Sequence, residues 1–543
     1  MITNNGIESI KDNHMNQNDK IKGLFTKGIV GLVVVQFIVL FLFNITKSEV
    51  LLDFDSSLEF RHVVEMWKNH KIFIDDWYYV SSLEIDTAMF FAAPIYFLTS
   101  NISLSIGIAH GIFAALFILV ILDIYKNLHR ELWEACLAIL LVFTPYTIEA
   151  SANNLDYTNM MFVAGGQYEF RVLTVLILIN VLVCRNKKKQ MAWTCLYFIL
   201  LFWTSLSCGN FVLLMGVAPV VFFHIMEKIV SKDISFSKRE IAIIIIGVVL
   251  AVLGIVIKQN SVAGTAIRNE LTLIHATKFV ENIQNCFAGV FLLIQGLCKQ
   301  DGVSVLSING IYILVKMGLV LLCFSLPLIA CFKCDALKKE KALGYALCLM
   351  FVDFFVLMVT NTQYGSTIFE SRYHIVWFVA ILVFLPVFLN IIMDCLDNKY
   401  LHGMVLSGCI MAVIFLNLVG VKRLANMQNP YYETSLDIMQ MAETYEKETV
   451  FIYEGQLEAN MIRAINDDID CFRIFKMEEG YRMDVLDFYT NVLEPGKIQE
   501  AHLLFITEEN FISLPEEVRK EYLYIDKCNI YNVYKSECNP WTF

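Results

Sequence analysis

Apolar runs long enough to cross a bilayer follow one another from Gly28 to Gly420, parted by short polar connections. A crossing helix needs about 20 mostly apolar residues. The pattern places such runs at 28–43, 102–124, 132–149, 170–184, 191–206, 210–226, 241–257, 308–331, 342–360, 374–393 and 403–420. It predicts a polytopic α-helical membrane protein with about eleven transmembrane helices. The region 191–226 is read either as one long tilted helix or as a hairpin turning at Ser207, Cys208, Gly209 and Asn210.

Past residue 421 the pattern changes. Short apolar runs at 449–453, 471–475, 501–507 and 529–535 alternate with helix-like stretches at 435–447, 456–466, 480–493 and 515–522. Alternation of that kind predicts a small C-terminal α/β domain. It holds no phosphate-binding glycine loop and no nucleophile elbow, which favours a structural or acceptor-positioning role. The expected division is an N-terminal tail (1–27), a membrane domain (28–420) with an outer loop (44–101) and an outer segment (258–307), and the α/β domain (421–543).

Residues 51–99 are the densest polar stretch of the membrane part, crowding Asp53, Asp55, Glu59, Glu65, Asp75, Asp76, Glu84 and Asp86 with Arg61, His62, Lys68, His70 and Lys71. Ser56 and Glu59 have capping-box spacing, so a helix is expected to start at Ser56 and carry Leu58, Val63, Met66 and Trp67. Asp55 then stands at a helix mouth, where the dipole favours an ionised base or metal ligand; it serves equally well as a plain cap. Residues 87–99 and 279–297 suit helices lying in the interface, roofing the bundle together with 56–70. The Trp77, Tyr78, Tyr79 cluster suits aromatic anchoring at the headgroup level.

Composition agrees with the class: 57% hydrophobic, 17% charged and 41 Phe do not make one soluble core. The net charge of −11 comes largely from the first loop and the tail, so there is no basic nucleic-acid surface. Lys and Arg gather at Lys126 and Arg130, at Arg185 and Lys187 to Lys189, at Lys228, Lys232, Lys238 and Arg239, and at Lys333, Lys338, Lys339 and Lys341. The positive-inside rule makes these loops cytoplasmic, puts the N-terminus inside and, with an odd number of spans, the tail outside a plasma membrane. No small-residue cleavage site follows the first run, which is read as a retained span. Most of the 15 cysteines lie in apolar spans as small hydrophobes. Cys331 and Cys334 form a lone C-x-x-C without a second pair, and Cys286, Cys298, Cys528 and Cys538 are taken as free thiols.

The run from Asp55 to Met66, D-S-S-L-E-F-R-H-V-V-E-M, resembles the start of the first outer loop in GT-C membrane glycosyltransferases, above all the lipid A aminoarabinose transferase and protein-mannosyltransferase-like enzymes. Glu370, Ser371, Arg372 and Tyr373 before a late span are similar to an Arg-Tyr pair of that family, as is the acidic loop Asn153, Asn154, Leu155, Asp156, Tyr157. The resemblance implies sugar transfer, usually with inversion, from a polyprenyl-phosphate carrier to a hydroxyl on a glycan, lipid or protein of the cell envelope. Such chemistry needs a carboxylate for the acceptor proton, cations for the leaving phosphate and an apolar groove for the lipid.

By matching position Asp55 is the expected base, with Asp53 next and Asp156 as a second acid that orients acceptor or sugar. Arg372, Arg61 and Lys71 are the expected phosphate ligands, with Arg171 behind them. Arg372 leads because its planar fork suits phosphate, although snorkelling or a bridge to Glu370 would also account for it. His62, Glu65 and Tyr373 complete the outer-face candidates. His62 and His70 make a metal site only if they converge with Asp53 or Asp55. Ser56 stands where many members carry a second acid, so no cofactor is specified and a divalent metal is left open.

Two rival readings remain at this level. A glycan polymerase or ligase would rest on outer-loop Arg and His residues. A lipid or oligosaccharide transporter or flippase would rest on Asp353 and Lys316, two charges inside spans that are expected to be paired, with each other or along a proton or substrate pathway.

Overall fold

The computed structural model describes residues 4–541 apart from 75, 76, 78, 80–81, 148–155, 232–236, 262–271, 298–301, 334–339, 362–370, 396–398, 467, 479 and 485–500, with backbone alone at 4–22. Asp75, Asp76, Tyr78, Asn153 to Leu155, Lys232, Cys298, Cys334, Lys338, Lys339 and Glu370 lie outside the described residues.

Among the described residues eight helices are long and apolar enough to cross a membrane. They coincide with eight of the expected runs: α1 (Asn4–Lys47), α4 (Ile102–Asn127), α8 (Lys187–Cys208), α10 (Lys238–Ser261), α12 (Ile308–Lys333), α13 (Lys341–Val359), α14 (Ile375–Cys395) and α15 (Lys399–Ala425). Shorter helices occupy the other three positions: α5 (Leu132–Val142), α7 (Glu169–Val183) and α9 (Ala218–Ser231). α5 stops early because Pro145 disfavours helical geometry at Thr144. Gly209, at φ +73°, ends α8, so 191–226 is two helices and not one long one.

α14 is the axis of the bundle. Its apolar residues run round the whole helix, and every residue from Ile375 to Met393 is buried, with α5, α12 and α13 packed against it. By contrast α1 and α10 turn Val34, Val35, Ile38, Ile245, Val249 and Val252 outward, as lipid-facing helices do. The expected interfacial segments form α3 (Ala88–Thr99), which packs on α4, and α11 (Phe279–Leu293).

The helix after the first span, α2 (Phe54–Lys68), starts two residues before the expected Ser56. Asp53 is its N-cap: Asp53 Oδ1 accepts from the Ser56 amide at 2.9 Å, and Ser56 Oγ accepts from the Asp53 amide at 2.8 Å. This D-x-x-S box pre-empts the S-x-x-E box read from the chain.

Strands β1 (Thr272–Leu273) and β2 (Thr360–Asn361) pair antiparallel. The tail holds α16 (Pro430–Thr444) and a six-stranded sheet of order β5-β4-β3-β6-β8-β7. Its centre is parallel, β4 (Asp470–Lys476), β3 (Thr449–Tyr453) and β6 (His502–Ile506), and its flanks β5 (Tyr481–Asp484), β8 (Tyr531–Ser536) and β7 (Leu523–Cys528) are antiparallel. The central T-V-F-I-Y run of β3 is buried at all five positions, as a doubly covered parallel strand requires. Residues 481–484 are therefore strand where a helix was expected, with Met483 opposite Ile474. α17 (Gln456–Ile465) follows β3 and packs on α2. Cys528 is a free thiol.

Candidate active site

α2 and the turn before α14 bring two expected residues together. Asp55, in the first turn of α2, has its Oδ2 3.7 Å from Nη1 of Arg372, and both side chains are part exposed. That separation is a charge pair and longer than a hydrogen bond. Arg372 belongs to a 3₁₀ turn, Ser371–His374, and its guanidinium lies 5.8 Å from the centroid of the Tyr373 ring.

The turn carrying Arg372 is anchored from below. Trp377 Nε1 donates to the buried His374 Nδ1 at 3.0 Å, and Asp353 Oδ2 lies 3.4 Å from the same nitrogen. The intramembrane Asp353 thus lies beside His374 and not Lys316, contrary to one of the expected pairings. Lys316 donates to the Tyr146 carbonyl at 3.3 Å and lies over the Tyr312 ring at 4.4 Å.

The remaining candidates are dispersed. Asp53 is occupied as the cap of α2. Asp156 caps α6 (Tyr157–Phe162), accepting from the Asn159 amide at 3.2 Å and from the Thr147 hydroxyl. Arg61 pairs with Glu65 one turn on at 3.1 Å, and Glu65 also takes Lys68 at 3.5 Å. Lys71 is exposed in the loop beyond α2. His62 Nδ1 bonds Glu84 Oε2 at 2.9 Å, and its ring stacks on Trp77 with centroids 4.2 Å apart. Trp77 and Tyr79 are buried, so their rings pack around His62 in place of the expected anchoring at the headgroups. Among the described residues no three His, Cys, Asp or Glu side chains converge on a point that could hold a metal ion.

Beneath Asp55 lies a polar layer whose burial and partners the chain did not advertise. Asp55, Glu59 and His62 are spaced i, i+4, i+7 and share one face of α2. Glu59 is fully buried and accepts from Gln167 Nε2 at 3.2 Å. Burial first, then the Glu84 charge, push its carboxyl well above the ordinary carboxylate range, against hydrogen bonds from Thr87 and Gln167. Arg171, expected behind the phosphate ligands, is committed to Asp86 through Nε at 2.7 Å and Nη2 at 3.3 Å, and Ser207 Oγ donates to the same carboxylate at 2.5 Å. Lys258 Nζ donates to the Ser207 carbonyl, and His110 Nδ1 bonds Glu169 Oε2 at 2.9 Å. Charges beside apolar runs were the signal for these groups, but their partners come from distant elements.

No protein-family profile and no curated protein sequence matches the chain. Among solved structures it is similar to ArnT from Cupriavidus metallidurans bound to undecaprenyl phosphate, with 10% identity over 94% of this chain and 98% of that one at a TM-score of 0.58. The apo state of the same protein matches over the same shares, again at 10% identity, with a TM-score of 0.55. At that identity the likeness is one of fold. This chain is a polytopic helical membrane protein with an ArnT-like fold.

Proposed function

We propose that this protein is a membrane glycosyltransferase that moves a sugar from a polyprenyl-phosphate-linked donor to a hydroxyl on a cell-envelope glycan, lipid or protein. The observation that carries this reading is the Asp55–Arg372 pair, a base candidate and a phosphate-binding candidate 3.7 Å apart on two elements that meet at one end of the bundle. The fold similarity to a protein crystallised with undecaprenyl phosphate supports the lipid partner. The charge of the loops supports placing this end at the outer face of the plasma membrane, with the N-terminus cytoplasmic.

The reaction then uses the two residues separately. The donor phosphodiester draws the Arg372 guanidinium off Asp55, because its two non-bridging oxygens suit the planar fork, whereas the Asp55 carboxylate stands 3.7 Å away, beyond hydrogen-bond length. With Arg372 drawn to the phosphate, Asp55 takes the acceptor proton as the hydroxyl oxygen attacks the anomeric carbon. The bond to phosphate breaks as the glycosidic bond forms, and Arg372 stabilises the charge on the departing polyprenyl phosphate.

The test is to purify wild type and Asp55→Asn and follow release of free polyprenyl phosphate from a panel of polyprenyl-phosphate sugars with envelope acceptors. The expected result is turnover by wild type and a loss of roughly 10²–10⁴-fold in Asp55→Asn with donor binding retained. Equal turnover by the variant would reduce Asp55 to a first-turn helix residue. Absence of turnover with every donor, in a wild-type protein that binds none of them, would overturn the transferase reading.

A further inference from the structure

Among the described residues three hydrogen bonds tie 49–52, the approach to α2, to the start of α16, and one buried side chain makes two of them. Asn429, 1% exposed, stands at the start of α16. Its Nδ2 donates to the Val50 carbonyl at 2.8 Å and the Leu52 carbonyl at 3.5 Å, the residues that lead into the Asp53 cap. Its Oδ1 accepts from the amides of Tyr431 at 3.0 Å and Tyr432 at 3.5 Å, so the same amide group caps α16. Tyr432 adds a bond from its hydroxyl to Glu49 Oε1 at 2.9 Å.

α17 completes the joint. Leu457, Met461 and Ala464 lie on one stripe of this helix and belong to the core of the membrane bundle, whereas Ala459 and Ile462, on the other side, belong to the core of the tail sheet. The helix that fills the gap between the two cores packs on α2, the element carrying Asp55. Residues 49–52 and α2 are thus gripped from the tail both before the cap and along the helix.

We infer that Asn429 is a positioning residue, which through the carbonyls of Val50 and Leu52 makes the tail set the place of the first turn of α2 and hence of Asp55. The catalytic part of this inference rests on the transferase reading; the grip itself does not. A free amide donor is required: Asn429→Asp keeps the oxygen that caps α16 but turns a second oxygen on two carbonyls, so repulsion replaces attraction.

The experiment is hydrogen exchange on the full-length protein in detergent, read over residues 50–60, with kinetics alongside. Asn429→Asp is expected to speed exchange in that segment while α14 keeps wild-type protection. It is expected to lower turnover about tenfold or more with the donor KM held within about twofold, because Arg372 lies on another element. Tyr531→Phe is the comparison: it removes the buried bond to Glu458 inside the tail, at 3.1 Å, and is expected to lower tail stability with exchange at 50–60 and turnover unchanged. Should Asn429→Asp fail to fold, Tyr432→Phe removes only the bond to Glu49 and is expected to loosen the same segment. Native exchange at 50–60 in a folded Asn429→Asp protein, or in Tyr432→Phe if that is the variant that folds, would overturn the inference, as would equal loosening by Tyr531→Phe. Because exchange needs no substrate, a failure of the transferase reading leaves the grip independently decided.

Discussion

Asp55, Glu59 and His62 share one face of α2 yet meet three environments: a part-exposed arginine, a half-buried amide, and an aromatic stack with a bond to Glu84. Sequence spacing places them in line but says nothing of burial depth, which is what separates their chemistry. Glu59 gives this a pH signature. Its carboxyl is raised well above the ordinary 4.5 by burial and by Glu84, so the folded protein keeps a proton that the unfolded chain gives up. Stability from this group is fully present below about pH 4.5 and is lost as pH rises through the raised folded-state value. Glu59→Gln keeps the shape and removes the titration. Its melting temperature is expected to gain steadily on wild type as pH is raised from about 4.5 to 8, and a constant difference across that range would show that Glu59 is not the titrating group.

At the scale of the element, the start of α2 decides what each acid does. The boxes D-x-x-S at 53–56 and S-x-x-E at 56–59 have the same spacing, so the pattern alone ranks neither. The choice falls to Asp53 because Leu51 and Leu52 are buried and the Val50 and Leu52 carbonyls are held by Asn429, which fixes where the extended pair Leu52 and Asp53, after the 3₁₀ turn Ser48–Leu51, must give way to helix. Asp53 as cap and Asp55 as base are then separable. Asp53→Asn preserves an equally good cap and is expected to leave thermal stability and turnover nearly unchanged. Asp53→Ala is expected to cost about 0.5–2 kcal/mol and to lower turnover through the displaced first turn. A large loss of turnover in a fully stable Asp53→Asn protein would instead make Asp53 the base.

At the scale of the molecule, the bundle and the tail share α17, so the tail is part of what keeps α2 in place. Removing residues 421–543 would uncover the α2 surface that Leu457, Met461 and Ala464 cover and release the carbonyls of Val50 and Leu52. The shortened chain is expected to insert with its spans but to be cleaved by added protease within 51–70 several times faster than the full chain, and equal resistance would show that α2 is held by the bundle alone. The same scale settles Asp353. A charge buried beside α14 takes the neighbour that packing supplies, and packing supplies His374, under the turn that holds Arg372.

The membrane class, the positions of eight of the expected spans and, apart from 481–484, the strand-helix alternation of the tail were legible in the chain, since hydropathy and periodicity are properties of short windows and lipid or a sheet leaves few ways to satisfy them. Asp55 and Arg372 stood out as candidates through the family resemblance and their place beside apolar spans. What folding alone decided is partnership: that these two meet, that Asp353 stands by His374, that Trp77 and Tyr79 enclose His62, and that Asn429 reaches the carbonyls before α2. Each of those contacts joins separate elements, and which charge or donor a buried group finds depends on how helices pack across the whole bundle, a quantity no local window contains.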